Sequence, residues 1–136
     1  MQIDFVSTIA VIAPDPAASR RLYVDTLGLP LASETGGDYV HGQVPGTKHF
    51  GVWPLAEAAQ ACFGTEHWPA DVPVPQVSIE FDVADTASVG AAADELTATG
   101  YRLLHPPREE PWGQTVARLL SPEGAVLGIS HIPAMH

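Results

Sequence analysis

The chain has 136 residues, 46% of them hydrophobic, which is enough for one cored domain and too short for two of ordinary size, and it excludes an intrinsically disordered chain. Sixteen Asp and Glu stand against six Lys and Arg, a formal charge of −10, and no basic run is longer than Arg20-Arg21. Nucleic acid and anionic membrane surfaces need clustered cations, so neither is expected as a partner, whereas a cationic small molecule would be drawn in by such a field.

In chain order, Met1 to Ala13 turns apolar at Phe5 but has neither a basic flank nor membrane-spanning length, and it reads as a strand of a soluble protein. Asp15 closes this strand and, with Pro16 behind it, caps a helix whose apolar residues Ala18, Leu22 and Leu27 lead to a stop at Gly28. Candidate strands follow at Leu29 to Glu34, Tyr39 to Gln43 and Lys48 to Trp53, divided by the turn pairs Gly36-Gly37 and Pro45-Gly46.

Residues Pro54 to Pro75 start with a helical stretch, Leu55 to Phe63, and continue through a crossing with Pro69, Pro73 and Pro75. Phe63 and Trp68 make this too apolar for a floppy tether, so an ordered linker packed along the surface is expected. Its Cys62, the one cysteine of the chain, excludes an internal disulfide and a Cys-rich zinc site, and reads as a core thiol in a reducing, cytoplasmic protein.

The order then repeats. Ser78 to Asp85 is again a strand ending in Asp, 70 residues after Thr8 to Asp15, and Asp85 opens a helix through Val89, Ala92, Ala93 and Leu96 to Gly100. Strands at Tyr101 to His105, Gln114 to Leu120 and Ala125 to His131 follow, divided by Pro106-Pro107 and by Ser121-Pro122-Glu123-Gly124. The chain is thus one α+β domain, residues 1–136, built of two tandem βαβββ modules (5–53 and 76–132) around a linker (54–75). Each module is half a core, so the two should pair, leaving a concave inner face for a ligand.

The stretch Asp15-Pro16-Ala17-Ala18-Ser19-Arg20-Arg21-Leu22-Tyr23-Val24-Asp25-Thr26-Leu27-Gly28-Leu29 resembles the first-module signature of the vicinal oxygen chelate superfamily of glyoxalase I, bleomycin-resistance proteins, fosfomycin-resistance enzymes and extradiol dioxygenases. Pro111-Trp112-Gly113-Gln114 through Arg118, with the Ser121-to-Gly124 hairpin, is similar to that family's second-module motifs. The resemblance implies a homodimer with two clefts. It also implies metal ligands at three positions, which here are Thr8, Ser78 and Gly128. Hydroxyls are weak donors and glycine has no side chain, so neither a metal nor another cofactor is expected.

Six histidines remain: His41, His49, His67, His105, His131 and His136. His41 and His49 lie in first-module strands, and the terminal His136 is expected to fray. Alternation puts Ile79, Phe81 and Val83 toward the helices, and Ser78, Glu80 and Asp82 on the inner face opposite Thr8, Ala10 and Ile12. Glu109 and Glu110 read as solvated. Trp53, Trp68 and Trp112 lie by strand ends or turns, where an aromatic ring can stack on a flat or cationic guest.

The expected activity is metal-independent binding of a flat or cationic small molecule, similar to the bleomycin-resistance branch, by Thr8, His41, His49, Trp53, Ser78, Glu80, Trp112 and Gln114. The alternative is a glyoxalase- or dioxygenase-type enzyme with a non-standard metal set, such as His49 or Glu80 with another histidine.

Overall fold

β-branched residues alternating with small ones make Phe5–Ala13 the long strand β1, with Val11 and Ala13 on one face and Thr8, Ala10 and Ile12 on the other. The computed structural model describes all 136 residues. Asp15 Oδ1 accepts the Ala18 N–H at 3.1 Å and opens α1 (Pro16–Arg20). Over Arg21–Thr26 the helix widens into a π-type turn, with Leu27 N–H reaching Leu22 C=O five residues back at 2.9 Å. Strands β2 (Val40–Gly42) and β3 (Phe50–Pro54) and helix α2 (Leu55–Phe63) complete the first half.

The second half runs β4 (Val77–Asp82), α3 (Thr86–Ala98), β5 (Leu103–Glu109), β6 (Thr115–Leu120) and β7 (Val126–His131), with a 3₁₀ turn at Pro133–Met135. Asp85 Oδ1 caps α3 by accepting the Ser88 N–H at 2.7 Å. No helix is long and apolar enough to cross a membrane.

All strands join one mixed sheet in the order β2-β3-β1-β4-β7-β6-β5. The halves meet within the chain where β1 runs antiparallel to β4, and each first strand pairs in parallel with the last of its module: β1 with β3, β4 with β7. On the outer face α3 buries Val89, Ala92 and Ala93 against Val83, Ala117 and Ile129, and the α1 region covers Ala13, Leu31, Val40 and Val52.

Three expectations need correction. Leu29 to Glu34 is not a strand; only Ala32 bridges to His41, so the first module lacks a regular fourth strand. Pro106-Pro107 is not a divider but lies inside β5, at the sheet edge where a missing N–H breaks no ladder, and the register shifts on either side of His105 absorb it. Nor does the linker helix merely follow the surface: α2 lies on the inner face, its Ala58 and Cys62 against Ile12 and Val126, with Trp53, Leu104 and Leu120 around them. The small side chains of α2 allow that close approach, and half of the concave face is thereby filled by the chain itself.

Candidate functional site

The remaining half of the inner face is polar. Thr8 pairs with Glu80, Glu80 with Gly128, Gly128 with Arg118 and Arg118 with His105, in one row across β1, β4, β7, β6 and β5. Gly128 is what lets Glu80 lie flat in this row: a Cβ there would stand 3.0 Å from Glu80 Cγ and 3.3 Å from Val116 Cγ2. Gln114 Nε2 donates to Glu80 Oε2 at 2.7 Å, and Trp112 Nε1 donates to Gln114 Oε1 at 2.9 Å. Burial raises the Glu80 pKa, with the Asp82 charge adding to the rise, against the opposing pull of Arg118 and of the Gln114 and Thr8 side chains.

The first module supplies an aromatic bank. The Tyr39 ring covers Gly51, whose missing side chain leaves the space, and stacks on His41 at 4.9 Å and 15°. His41 meets His49 at 4.8 Å, and Tyr39 Oη lies 3.4 Å from His49 Nε2. Burial, then the charges of Glu80, Glu57 and Glu34, raises the Tyr39 pKa far above the usual phenol, so its proton is held. Burial and then the His41 neighbour lower the His49 pKa and favour its neutral ring.

On the opposite side Arg118, 1% exposed, donates Nη1–H to Glu110 Oε1 at 2.9 Å and sits 5.6 Å from the Trp53 ring centre, with its Nε–H unpartnered. Arg108 Nε reaches the same Glu110 oxygen at 3.1 Å, and its Nη2 donates to the Ala61 carbonyl of α2. The expectation that Glu110 is solvated fails: its side chain is only 10% exposed, and these two guanidiniums hold its pKa down although burial pushes the other way. Burial pushes the Cys62 thiol up to about 11, in keeping with a core cysteine.

The structure therefore brings together Thr8, Glu80, Gln114 and Trp112, and beside them His41 and His49. Ser78 is buried between Ala10 and Val126, and Trp53 packs under α2. Sequence reasoning passed over Tyr39 and Arg118; their one signal was position, Tyr39 two residues before the inner-facing His41, and Arg118 in the strand after Gln114. A groove of about 450 Å³ opens beside Thr8, Lys48 and His49. A second, about 370 Å³, lies far from this chemistry, between the N-terminal segment and α3. At the lower end of the face the expected fraying of His136 is also overturned: its Nε2 lies 2.9 Å from Asp82 Oδ2 and its ring 4.8 Å from Phe5.

This duplicated, edge-joined sheet with an inner-face site defines a superfamily. The chain belongs to the Glyoxalase/Bleomycin resistance protein/Dioxygenase superfamily, whose model matches residues 5–129. Among solved structures it is similar to a superfamily member from Vibrio splendidus 12B01 (16% identity, 94% of this chain and 98% of that one, TM-score 0.61). It is likewise similar to methylmalonyl-CoA epimerase from Mycobacterium tuberculosis (16%, 98% and 91%, 0.62). A Mn(II)-bound glyoxalase from Novosphingobium aromaticivorans has 15% identity over 95% of this chain and 38% of that one, with a TM-score of 0.62. At such identities these likenesses show the fold. No curated protein matches the sequence.

The residues at the superfamily's ligand positions do not fit a divalent ion. Thr8 and Ser78 offer neutral hydroxyls, and at Gly128 the place of a ligand side chain is taken by the stem of Glu80, whose carboxyl is already bonded by Gln114.

Proposed function

We propose that this protein binds a flat, cationic small molecule in the open half of the inner face, independently of any metal at the superfamily's ligand positions. The observation that carries this is the aromatic bank of Tyr39, His41 and His49, with Glu34 3.5 Å from His41 and the charges of Glu80 and Glu57 also acting on the Tyr39 hydroxyl. Stacking on such a bank and a cation held over it contribute roughly 0.5–2 kcal/mol each. The two nearby guanidiniums, Arg108 and Arg118, each pair with Glu110, which offsets part of their charge. Gln114, itself held by Trp112, keeps the Glu80 carboxyl in place.

The test is calorimetric titration of chelator-treated, tag-free protein with a cationic bleomycin-type glycopeptide and with ethidium, a planar cation, against a planar anionic dye as control. One-to-one binding of at least one cation is expected, weakened about tenfold by Glu80→Gln. Failure of both cations, or equal binding of the anionic dye, would overturn the reading.

The raised pKa of Glu80 favours a second reading, in which its carboxylate takes up a proton from a carbon acid and returns it. Exchange of solvent deuterium into 2-oxo acids or thioesters, lost in Glu80→Gln, is the outcome that separates an enzyme from a binder.

A further inference from the structure

We propose that Asp82, His131 and His136 form a binding site for one divalent transition-metal ion of the zinc or cobalt type, which clasps the Pro133–Met135 turn to the end of the sheet. One carboxylate oxygen of Asp82 and one nitrogen from each imidazole lie within 4.8 Å of one another. Ligands around a tetrahedral zinc, bonded at about 2.0–2.1 Å, stand about 3.3 Å apart, so small side-chain rotations close this triangle. The site is separate from the superfamily's ligand positions: Asp82 is four residues beyond Ser78 on β4, and both histidines come from the end of β7 and the turn after it.

The surroundings hold these groups as outer partners of a metal site do. Asp82 is fully buried; the Ser130 hydroxyl donates to its Oδ1, and the Ile132 N–H donates to its Oδ2 at 2.8 Å. His131 Nδ1 lies 3.0 Å from the Val83 carbonyl; donating there, it leaves Nε2 with a lone pair and no partner. The His131 and His136 rings are 4.6 Å apart. An ion pair with Asp82 needs one imidazole, and a second packed against it adds only repulsion once both are charged. Two imidazole nitrogens beside one carboxylate instead make an N₂O set, suited to zinc, cobalt, nickel or copper. The nearby Lys48 ammonium is committed to the Met135 carbonyl at 3.1 Å and the Phe5 ring at 4.1 Å.

The experiment is titration of the full chain, tag-free and chelator-treated, with Co(II) and then Zn(II), read by visible absorption of the bound cobalt and by thermal unfolding. One ion per chain is expected, with a rise in Tm. His131→Ala and His136→Ala should each weaken binding by at least about tenfold and abolish the rise, while His49→Ala leaves both unchanged. The His136 variant leaves Asp82 its bonds from the Ser130 hydroxyl and the Ile132 N–H, and its far-UV spectrum should match the wild type, which keeps the test decisive. No uptake by the wild type, or undiminished uptake in both variants, would overturn the site. Uptake lost in His49→Ala instead would place the ion in the central cleft and overturn the metal-independent reading as well.

Discussion

The two modules share one topology but divide the labour. The second has four full strands and a helix of 13 residues, whose Val89, Ala92 and Ala93 seal a compact core with Val83, Ala117 and Ile129. In the first, α1 is five residues long and buries none of them, β2 has three residues, and the fourth strand is a single bridge at Ala32. Regular structure is lost where the aromatic bank is built. The second module is a frame that can hold buried charge; the first presents a looser wall of rings to the guest.

The largest test of that contrast is Arg118→Met. Its loss leaves Glu110 with Arg108 alone and removes the cation that opposes Glu80, so unfolding in urea should show a loss of about 3–5 kcal/mol. His41→Ala, in the first module, removes a ring stacked on Tyr39 and His49 and its contact with the exposed Glu34, and should cost about 1–2 kcal/mol. Similar costs for the two would mean that the modules do not differ as described.

A smaller effect is expected from Gly128→Ala. The new methyl would stand 3.0 Å from the Glu80 stem and 3.3 Å from Val116, so the carboxylate must move off its place in the row. Overpacking of this kind costs about 1–3 kcal/mol. Ethidium affinity should fall with it, while the Tyr39, His41 and His49 bank stays intact; unchanged affinity would separate Glu80 from recognition.

How far the sequence disclosed this follows from what each feature depends on. The duplication, the two Asp caps and the inner facing of Glu80 were legible because local capping and strand alternation set them. The extent of Leu29 to Glu34 was not, because pairing at a sheet edge depends on a partner that local composition does not reveal. The same applies to α2 on the inner face and to Glu110, whose neighbour Pro111 gave no hint that Arg108 and Arg118 would converge on it. Of the site, the facing of Glu80 was readable from alternation along its own strand, while Arg118, two strands away in the same row, was not. The stacking of Tyr39 over Gly51 and the closing of His136 on Asp82 are long-range contacts with no local pattern.

The finest test uses two carboxyls of the second module whose pKa values move in opposite directions. Glu80 is raised above the ordinary 4.5, so the folded chain holds its proton more tightly than the unfolded one. That contribution to stability is complete below pH 4.5 and is lost as pH rises through the raised value. Glu80→Gln does not titrate, and its amide oxygen can still accept from Gln114. Its Tm should therefore match the wild type in acid and exceed it by a few degrees at neutral pH. Glu110, lowered by its two arginines, stabilises above 4.5 and ceases to as pH falls through its depressed value, so Glu110→Gln should be the less stable protein at neutral pH and converge with the wild type in acid. Thermal melts of both variants from acid to neutral pH should give difference curves of opposite sign. Curves of the same sign would show that Glu80 is stabilised by its partners more than it is penalised by burial, and would remove the basis for its holding a proton.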